Sequence, residues 1–146
     1  MKNPIAQFPG YLLRRAASAR MAELARRLEP FAVSVTEASI LALIVANPDI
    51  SQAECGRVLA IKRANLNPLV RRLVTRGLVE VVMRRGRAQG LQATAEGLTI
   101  AREIETVFET HESDMMAAVP PHLRETLVET LRALWPVDGG DGAAAD

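Results

Sequence analysis

Arginine and asparagine side chains are concentrated in the ten residues 63–72, RANLNPLVRR. The arginines belong to a larger block, because between Arg57 and Arg87 nine basic residues accompany one acid, Glu80. That block has a balance of +8, and since the whole chain has a net charge of +1, the remainder carries −7. Guanidinium groups pair with phosphate oxygens, so a compact basic block on an otherwise acidic protein predicts a polyanion-binding surface rather than a solvated charged face.

Helical periodicity positions these side chains. Apolar residues recur at Leu66, Leu69, Val70 and Leu73, which form one face of a helix, and Gly77 is suited to end it. At about 100° per residue, the opposite face and its flanks carry the polar and small residues. The face holds Ala64, Pro68, Arg71 and Thr75, and the flanks hold Asn65, Asn67 and Arg72.

Pro68 is unusual in such a helix, because an interior proline removes a backbone hydrogen bond and costs about 3 kcal/mol. A helix that starts near Arg63 is continuous and slightly kinked, and we favour this interpretation. In the alternative, Asn67 caps a helix that begins at Pro68. In both cases the freed backbone groups face outward.

Three helices are predicted before this one. The first spans residues 8–28 and ends at Pro30. The second begins at Thr36 as N-cap and stops near residues 47–48. Ser51 and Glu54 have capping-box spacing and start the third, which runs to about Leu59.

After Gly77 the pattern changes to a β-hairpin, with strands in LVEVVM and QGLQAT and a basic turn, RRGRA, between them. Thr94 is an N-cap candidate for a long helix to about Ala118. Residues at alternating spacings of three and four form a coiled-coil-like seam along it, which comprises Ala101, Ile104, Phe108, His111 and Met115. A last helix follows residues 120–121 and carries Leu123, Leu127, Leu131 and Leu134, and residues 136–146 are predicted to be disordered.

This order of elements, and the residues themselves, resemble the MarR family of bacterial transcription regulators. The likeness is clearest in SQAECGRVLAIKRANLNPLVRRLVTRGLVE, which begins at Ser51, and it continues through RAQGLQATAEG. Near the N-terminus, YLLRRAA resembles the family's first helix. The resemblance implies a mainly α fold with a small two-stranded β-wing. Residues 31–94 would form the winged helix-turn-helix, and residues 1–30 and 95–135 the N- and C-terminal dimerisation helices.

The resemblance also implies a homodimer on double-stranded DNA with a palindromic operator, each recognition helix lying in the major groove. By likeness to the family, the positions facing base edges are Ala64, Asn65, Asn67 and Pro68. Arg63, Arg71 and Arg72 would contact phosphates or, for the last two, a guanine, and the wing would grip phosphates with Arg84, Arg85 and Arg87. Two departures stand out. Many relatives carry a polar or basic residue at the position of Pro68, and Arg87 lacks the acidic partner that braces its counterpart in longer wings.

Most family members are repressors released from DNA by a small ligand, commonly an aromatic or phenolic acid or its thioester. The ligand is expected between the dimerisation helices and the winged domain, where Tyr11, Arg14 and Arg15 could contact an anionic aromatic. Packing and surface charge explain those three residues equally well. The competing function is a winged-helix protein-interaction module without sequence-specific DNA binding, which predicts an uncharged or acidic recognition face.

Other chemistry has little support in the sequence. Cys55 is the single cysteine and is expected to be a small buried hydrophobe rather than a redox sensor. His111, Glu112 and Asp114 resemble a metal site only weakly, because no thiolate or second histidine lies near them. The remaining histidine, His122, lies on another helix. No catalytic motif, cofactor or metal is predicted. The lack of a catalytic motif predicts that the protein is not an enzyme. A cytoplasmic location is expected because the sequence has no signal-peptide core and no apolar run of roughly 20 residues.

Overall fold

Six α-helices and a two-stranded antiparallel sheet make up the part of the chain that the computed structural model describes, residues 2–83 and 89–134. The helices are α1 (Pro9–Leu28), α2 (Val35–Ala46), α3 (Gln52–Val58), α4 (Arg63–Thr75), α5 (Ala95–Ala117) and α6 (Arg124–Leu134). The strands are β1 (Val79–Met83) and β2 (Gln89–Ala93), and short 3-10 helices lie at Glu29–Phe31 and Pro121–Leu123. The predicted fold class, mainly α with a two-stranded wing, is confirmed.

Two capping boxes start consecutive helices. In the first, Ser34 Oγ accepts from the Glu37 N–H at 3.2 Å, and the Glu37 carboxylate accepts from the Ser34 N–H at 2.9 Å. Ser51 and Glu54 repeat this arrangement at α3, as their spacing predicts. The prediction of Thr36 as the N-cap of α2 is wrong. The N-cap is Ser34, which lies three residues before Glu37, as Ser51 lies three residues before Glu54.

Helix α4 is continuous from Arg63 to Thr75 with Pro68 inside it. The helix begins before the proline, since the N–H groups of Asn65 and Leu66 both donate to the Lys62 carbonyl, at 2.9 and 3.0 Å. The side chain of Pro68 is exposed. The continuous helix is therefore confirmed and a start at Pro68 is not, because buried Leu66 before the proline and buried Val70 and Leu73 after it hold the helix against the core.

The hydrophobic core is centred on α2, which is apolar around most of its circumference. Ile40, Leu41 and Ile44 are completely buried. The other buried members come from the helices, strands and turns around it and include Leu28, Leu66, Leu73, Leu78, Leu91 and Ile104. Ala101 and Ile104, which the sequence placed in a coiled-coil-like seam, thus pack into the core of their own chain.

The wing is attached to the helical core at its base. Its register pairs Val79 with Ala93 and Met83 with Gln89. A third segment joins the sheet, because the Leu91 N–H donates to the Ile50 carbonyl at 2.8 Å. The predicted wing tip with Arg84, Arg85 and Arg87 and the predicted disordered tail 136–146 lie outside the described residues.

The chain divides into two compact units. The first runs through His111 and contains the winged-helix core, α1 and most of α5. The second begins at Glu112 and, within the described residues, contains the end of α5 and α6. No single helix in the described ranges is long and apolar enough to cross a membrane.

Candidate DNA-binding interface

A tight turn joins α3 and α4 into a helix-turn-helix. The Ile61 N–H donates to the Gly56 carbonyl at 2.8 Å, and a Cβ on Gly56 would lie 2.9 Å from the Ile61 carbonyl oxygen. A side chain at that position would push the turn away from α3. This close approach packs the inner face of α4 against the core and leaves its outer face uncovered.

The outer face of α4 is cationic and polar. Ala64, Pro68 and Arg71 are exposed on it and Asn65 is exposed on its flank, as the helical spacing predicts. Arg63 is exposed at the N-terminal end of the helix. Within residues 2–83 and 89–134 the structure gives neither Arg63 nor Arg71 an ion-pair partner. Both guanidinium groups are therefore available to an anion from outside the chain, and the N-terminal end of α4 adds its helix dipole.

Asn67 differs from its neighbour Asn65. It is only partly exposed, and its Oδ1 is enclosed without a hydrogen-bond partner in the described part of the chain. Asn65 is thus presented outward, whereas the amide oxygen of Asn67 is not.

Arg72 has an ion-pair partner within the chain. Its Nε lies 2.9 Å from Oε1 of Glu37, whose side chain is 6% exposed while that of Arg72 is 62% exposed. The sequence showed both residues but not their contact, because they lie on different helices. Arg72 therefore joins the outer face of α4 to the start of α2.

Arg76, at the end of α4, also belongs to the basic block and holds the fold together. Its two terminal nitrogens donate to the carbonyls of Ala32 at 2.6 Å and Phe31 at 2.8 Å. Ala32 has a positive φ of 51°, which is uncommon for a residue other than glycine. The connection between α1 and α2 is thus tied to the C-terminal end of α4.

A cleft of about 380 Å³ lies between α2 and α5. Its lining is mostly apolar and comprises Ala42, Val45, Ala46, Ala101, Arg102, Glu105 and Phe108. The three predicted ligand residues on α1 do not line it. Tyr11 Oη accepts a hydrogen bond from Asn3 at 2.9 Å, and the Arg14 guanidinium lies 5.3 Å from the Tyr11 ring centroid. Arg15 is exposed on the same helix.

Cys55 is buried, as expected from the sequence. Burial raises the pKa of its thiol above the ordinary value, and the Glu54 carboxylate raises that pKa further. His111 is also buried, and its Nε2 lies 3.1 Å from the Arg20 carbonyl of α1 in the same chain. No group of three or more potential metal ligands occurs among the described residues.

Comparison with known proteins agrees with this architecture. The model of the MarR family matches residues 33–90. The chain superimposes on the transcriptional repressor CouR bound to p-coumaroyl-CoA with a TM-score of 0.83 and 25% identity, covering 93% of this chain and 97% of that one. Comparison with curated protein sequences gives no match.

Two further solved structures are similar in fold. The Staphylococcus aureus MepR–DNA complex gives a TM-score of 0.80 at 15% identity, over 91% of this chain and 96% of that one. PcaV of Streptomyces coelicolor, in complex with its natural ligand, gives 0.75 at 22% identity, over 92% and 96%. At these identities the likeness establishes the fold.

Proposed function

This chain carries a MarR-family winged helix-turn-helix over residues 33–90, and on that premise we propose that it is a homodimeric, sequence-specific DNA-binding transcription regulator. The proposed activity is repression that a small aromatic ligand relieves. The observation that carries the proposal is the exposed surface of α4, where Asn65 and Arg71 are exposed along the helix and Arg63 is exposed at its N-terminal end. A DNA-binding role also agrees with the cytoplasmic location expected from the sequence.

The side chains of that face suit DNA in two ways. Arg63 and Arg71 can pair with backbone phosphates, which positions a protein on the duplex but reads no sequence. Asn65 can read a base edge, since its amide matches the donor and acceptor of adenine in the major groove. Pro68 offers no hydrogen bond and can only make apolar contact, for example with a thymine methyl group. The wing residues Arg84, Arg85 and Arg87 are proposed as additional phosphate contacts.

A homodimer would cover apolar surface that each unit leaves exposed. In the first unit Phe8, Leu12 and Leu13 at the start of α1 are exposed, and in the second unit Leu131 and Leu134 of α6 are exposed. Twofold symmetry would place two recognition helices about 34 Å apart, one turn of DNA, which predicts a palindromic operator.

The cleft between α2 and α5 is the proposed ligand site. Its apolar lining suits an aromatic ring, and Arg102 at its edge could pair with a carboxylate. Its position between a helix of the winged core and α5 suits a regulator, because a ligand there can favour one arrangement of the recognition helices over another. CouR, whose structure contains p-coumaroyl-CoA, suggests an aromatic acid or thioester as the ligand class. Tyr11, Arg14 and Arg15 on α1 are a second candidate site.

The alternative, a protein-interaction module that does not bind DNA, is not favoured. It predicts an uncharged or acidic recognition face, whereas α4 exposes Arg63 and Arg71 and one end of Arg72. The fold and family are those of transcription regulators, which are generally not enzymes.

Fluorescence anisotropy would test the proposal, with a duplex from the region upstream of the protein's own gene and a scrambled duplex, each at low and near-physiological salt. We expect tight binding that prefers the native duplex and weakens steeply as salt rises. Arg71→Ala should cost about 1 to 3 kcal/mol of binding free energy. Arg26→Ala, which removes an exposed arginine from α1, is the matched control and should change little. Equal weak binding to both duplexes would contradict the proposal.

A further inference from the structure

Glu37 is a buried carboxylate that pairs with Arg72 on the flank of the outer face of α4. We infer that it is a positioning residue for DNA binding, which holds the Arg72 guanidinium in the orientation that receives a backbone phosphate. The inference rests on the proposed function and adds to it a residue that lies on α2, outside the recognition helix. Glu37 touches no DNA in this scheme and acts only through Arg72.

Both oxygens of the Glu37 carboxylate have partners within the chain. Oε2 of Glu37 accepts from the Ser34 N–H at 2.9 Å and from Ser34 Oγ at 2.8 Å. Oε1 lies 2.9 Å from Arg72 Nε. A buried carboxylate is costly unless its oxygens are satisfied, and here the helix cap supplies one side and the guanidinium the other. The capping box therefore fixes the position of the Glu37 carboxylate, with which Arg72 forms its ion pair.

The other end of Arg72 remains available. The side chain is 62% exposed, and among the described residues the structure gives it no second ion-pair or hydrogen-bond partner. A guanidinium has five N–H donors in a rigid plane, so contact through Nε leaves the two terminal nitrogens able to bind an external anion. Arg72 adjoins Arg71 and lies one helical turn beyond Pro68, on the flank of the outer face of α4. A phosphate that meets Arg71 on one side can meet this held guanidinium on the other.

Positioning and simple electrostatics predict opposite changes in DNA affinity when the Glu37 charge is removed. A negative charge beside a DNA-binding surface repels phosphate, so electrostatics alone predicts that removing the Glu37 charge strengthens DNA binding. Positioning predicts the opposite, because the released arginine must be ordered again when DNA binds.

The test compares Glu37→Gln with Glu54→Gln in the anisotropy assay. Glu54 is the matched control because it occupies the same capping position on α3, and its substitution removes the same charge. Glutamine can still cap a helix. We expect Glu37→Gln to weaken binding about tenfold and to lower the salt slope by about one, the loss of one phosphate contact. Glu54→Gln should leave affinity unchanged or slightly higher. In an Arg72→Gln background, Glu37→Gln should have no further effect.

Several outcomes would overturn the inference. Glu37→Gln that binds DNA as tightly as the unsubstituted protein, or more tightly, would do so. A lowered melting temperature with an unchanged salt slope would show a structural contact between α2 and α4 and no positioning. If Glu37→Gln does not fold, Arg72→Lys serves as the test, since lysine keeps the positive charge but lacks the planar guanidinium. DNA affinity of Arg72→Lys equal to that of the unsubstituted protein would contradict the inference. If the unsubstituted protein binds neither duplex, the proposed function itself fails, which is a different result.

Discussion

Gly97, in the first turn of α5, lies against the backbone of Leu78, and a Cβ built on it would stand 1.9 Å from the Leu78 carbonyl oxygen. Thr94 completes this junction. Its N–H donates to the Leu78 carbonyl at 3.1 Å, while its Oγ1 donates to the Gly77 carbonyl at 2.6 Å and accepts from the Gly97 N–H at 3.0 Å. The N-terminal end of α5 is thus fixed at the point where the recognition helix gives way to the wing.

Gly97→Ala should lower the free energy of unfolding by about 3 kcal/mol, because the added methyl group meets a backbone oxygen that cannot move aside. Urea denaturation would measure the change. Gly10→Ala is the matched control, since a Cβ at that helical position meets nothing within 4 Å, and alanine should be neutral or stabilising by up to about 1 kcal/mol there. Equal effects of the two substitutions would show that the close approach to Leu78 is not maintained in solution.

Arg76→Ala and Arg71→Ala should affect different properties, the first chiefly stability and the second chiefly DNA affinity. Arg76 donates to the carbonyls of Phe31 and Ala32, so its loss should reduce the free energy of unfolding by about 1 to 2 kcal/mol with a smaller change in DNA affinity. Arg71 has no such partner among the described residues, and its loss should weaken DNA binding at nearly unchanged stability. Thermal denaturation and anisotropy on the same two proteins would check this, and a large loss of stability in Arg71→Ala would show that it too holds the fold.

Cys55 should be unreactive in the folded protein. Burial raises the pKa of its thiol, so the thiolate that reacts with disulfide reagents is scarce at neutral pH. Labelling with a chromogenic disulfide should be slow at pH 7 and become fast in denaturant. Rapid labelling of the folded protein would contradict the buried environment and reopen a redox role.

The same pKa shift predicts a dependence of stability on pH. A raised pKa in the folded state means that the contribution of the protonated thiol is fully present below the ordinary thiol pKa, about 8.5, and is lost as pH rises through the raised value. The stability advantage of the unsubstituted protein over Cys55→Ala should therefore shrink as pH increases above that range. Urea denaturation at pH 7 and pH 10 would measure it, and an advantage that is constant with pH would contradict the shift.

Ala42→Leu should block the ligand without affecting DNA binding. Ala42 lines the cleft between α2 and α5 and is otherwise exposed, so a larger side chain fills the cleft without entering the core. With p-coumaroyl-CoA and simple aromatic acids as probes, we expect release of DNA from the unsubstituted protein and a much weaker response from Ala42→Leu. Tyr11→Phe tests the second candidate site, and a response abolished only by that substitution would place the ligand on α1.

Local patterns in the sequence were sufficient for much of the fold. The continuous α4, its outward Pro68, the capping box of Ser51 and Glu54 and the two strands were predicted correctly, because each depends on residues within a few positions of one another. The N-cap of α2 was mistaken although its signal was present, since Ser34 and Glu37 have the same spacing as Ser51 and Glu54.

The sequence by itself determined which helix bears the cationic face and which residues point outward from it, since a helical period of 3.6 relates side chains only along one element. Only the tertiary structure decided what each cation does. Arg72 meets Glu37 from another helix, and Arg76 reaches the carbonyls of Phe31 and Ala32 across 45 and 44 positions of the chain. Such pairings depend on how α1, α2 and α4 pack around a shared core, and no local spacing encodes that packing.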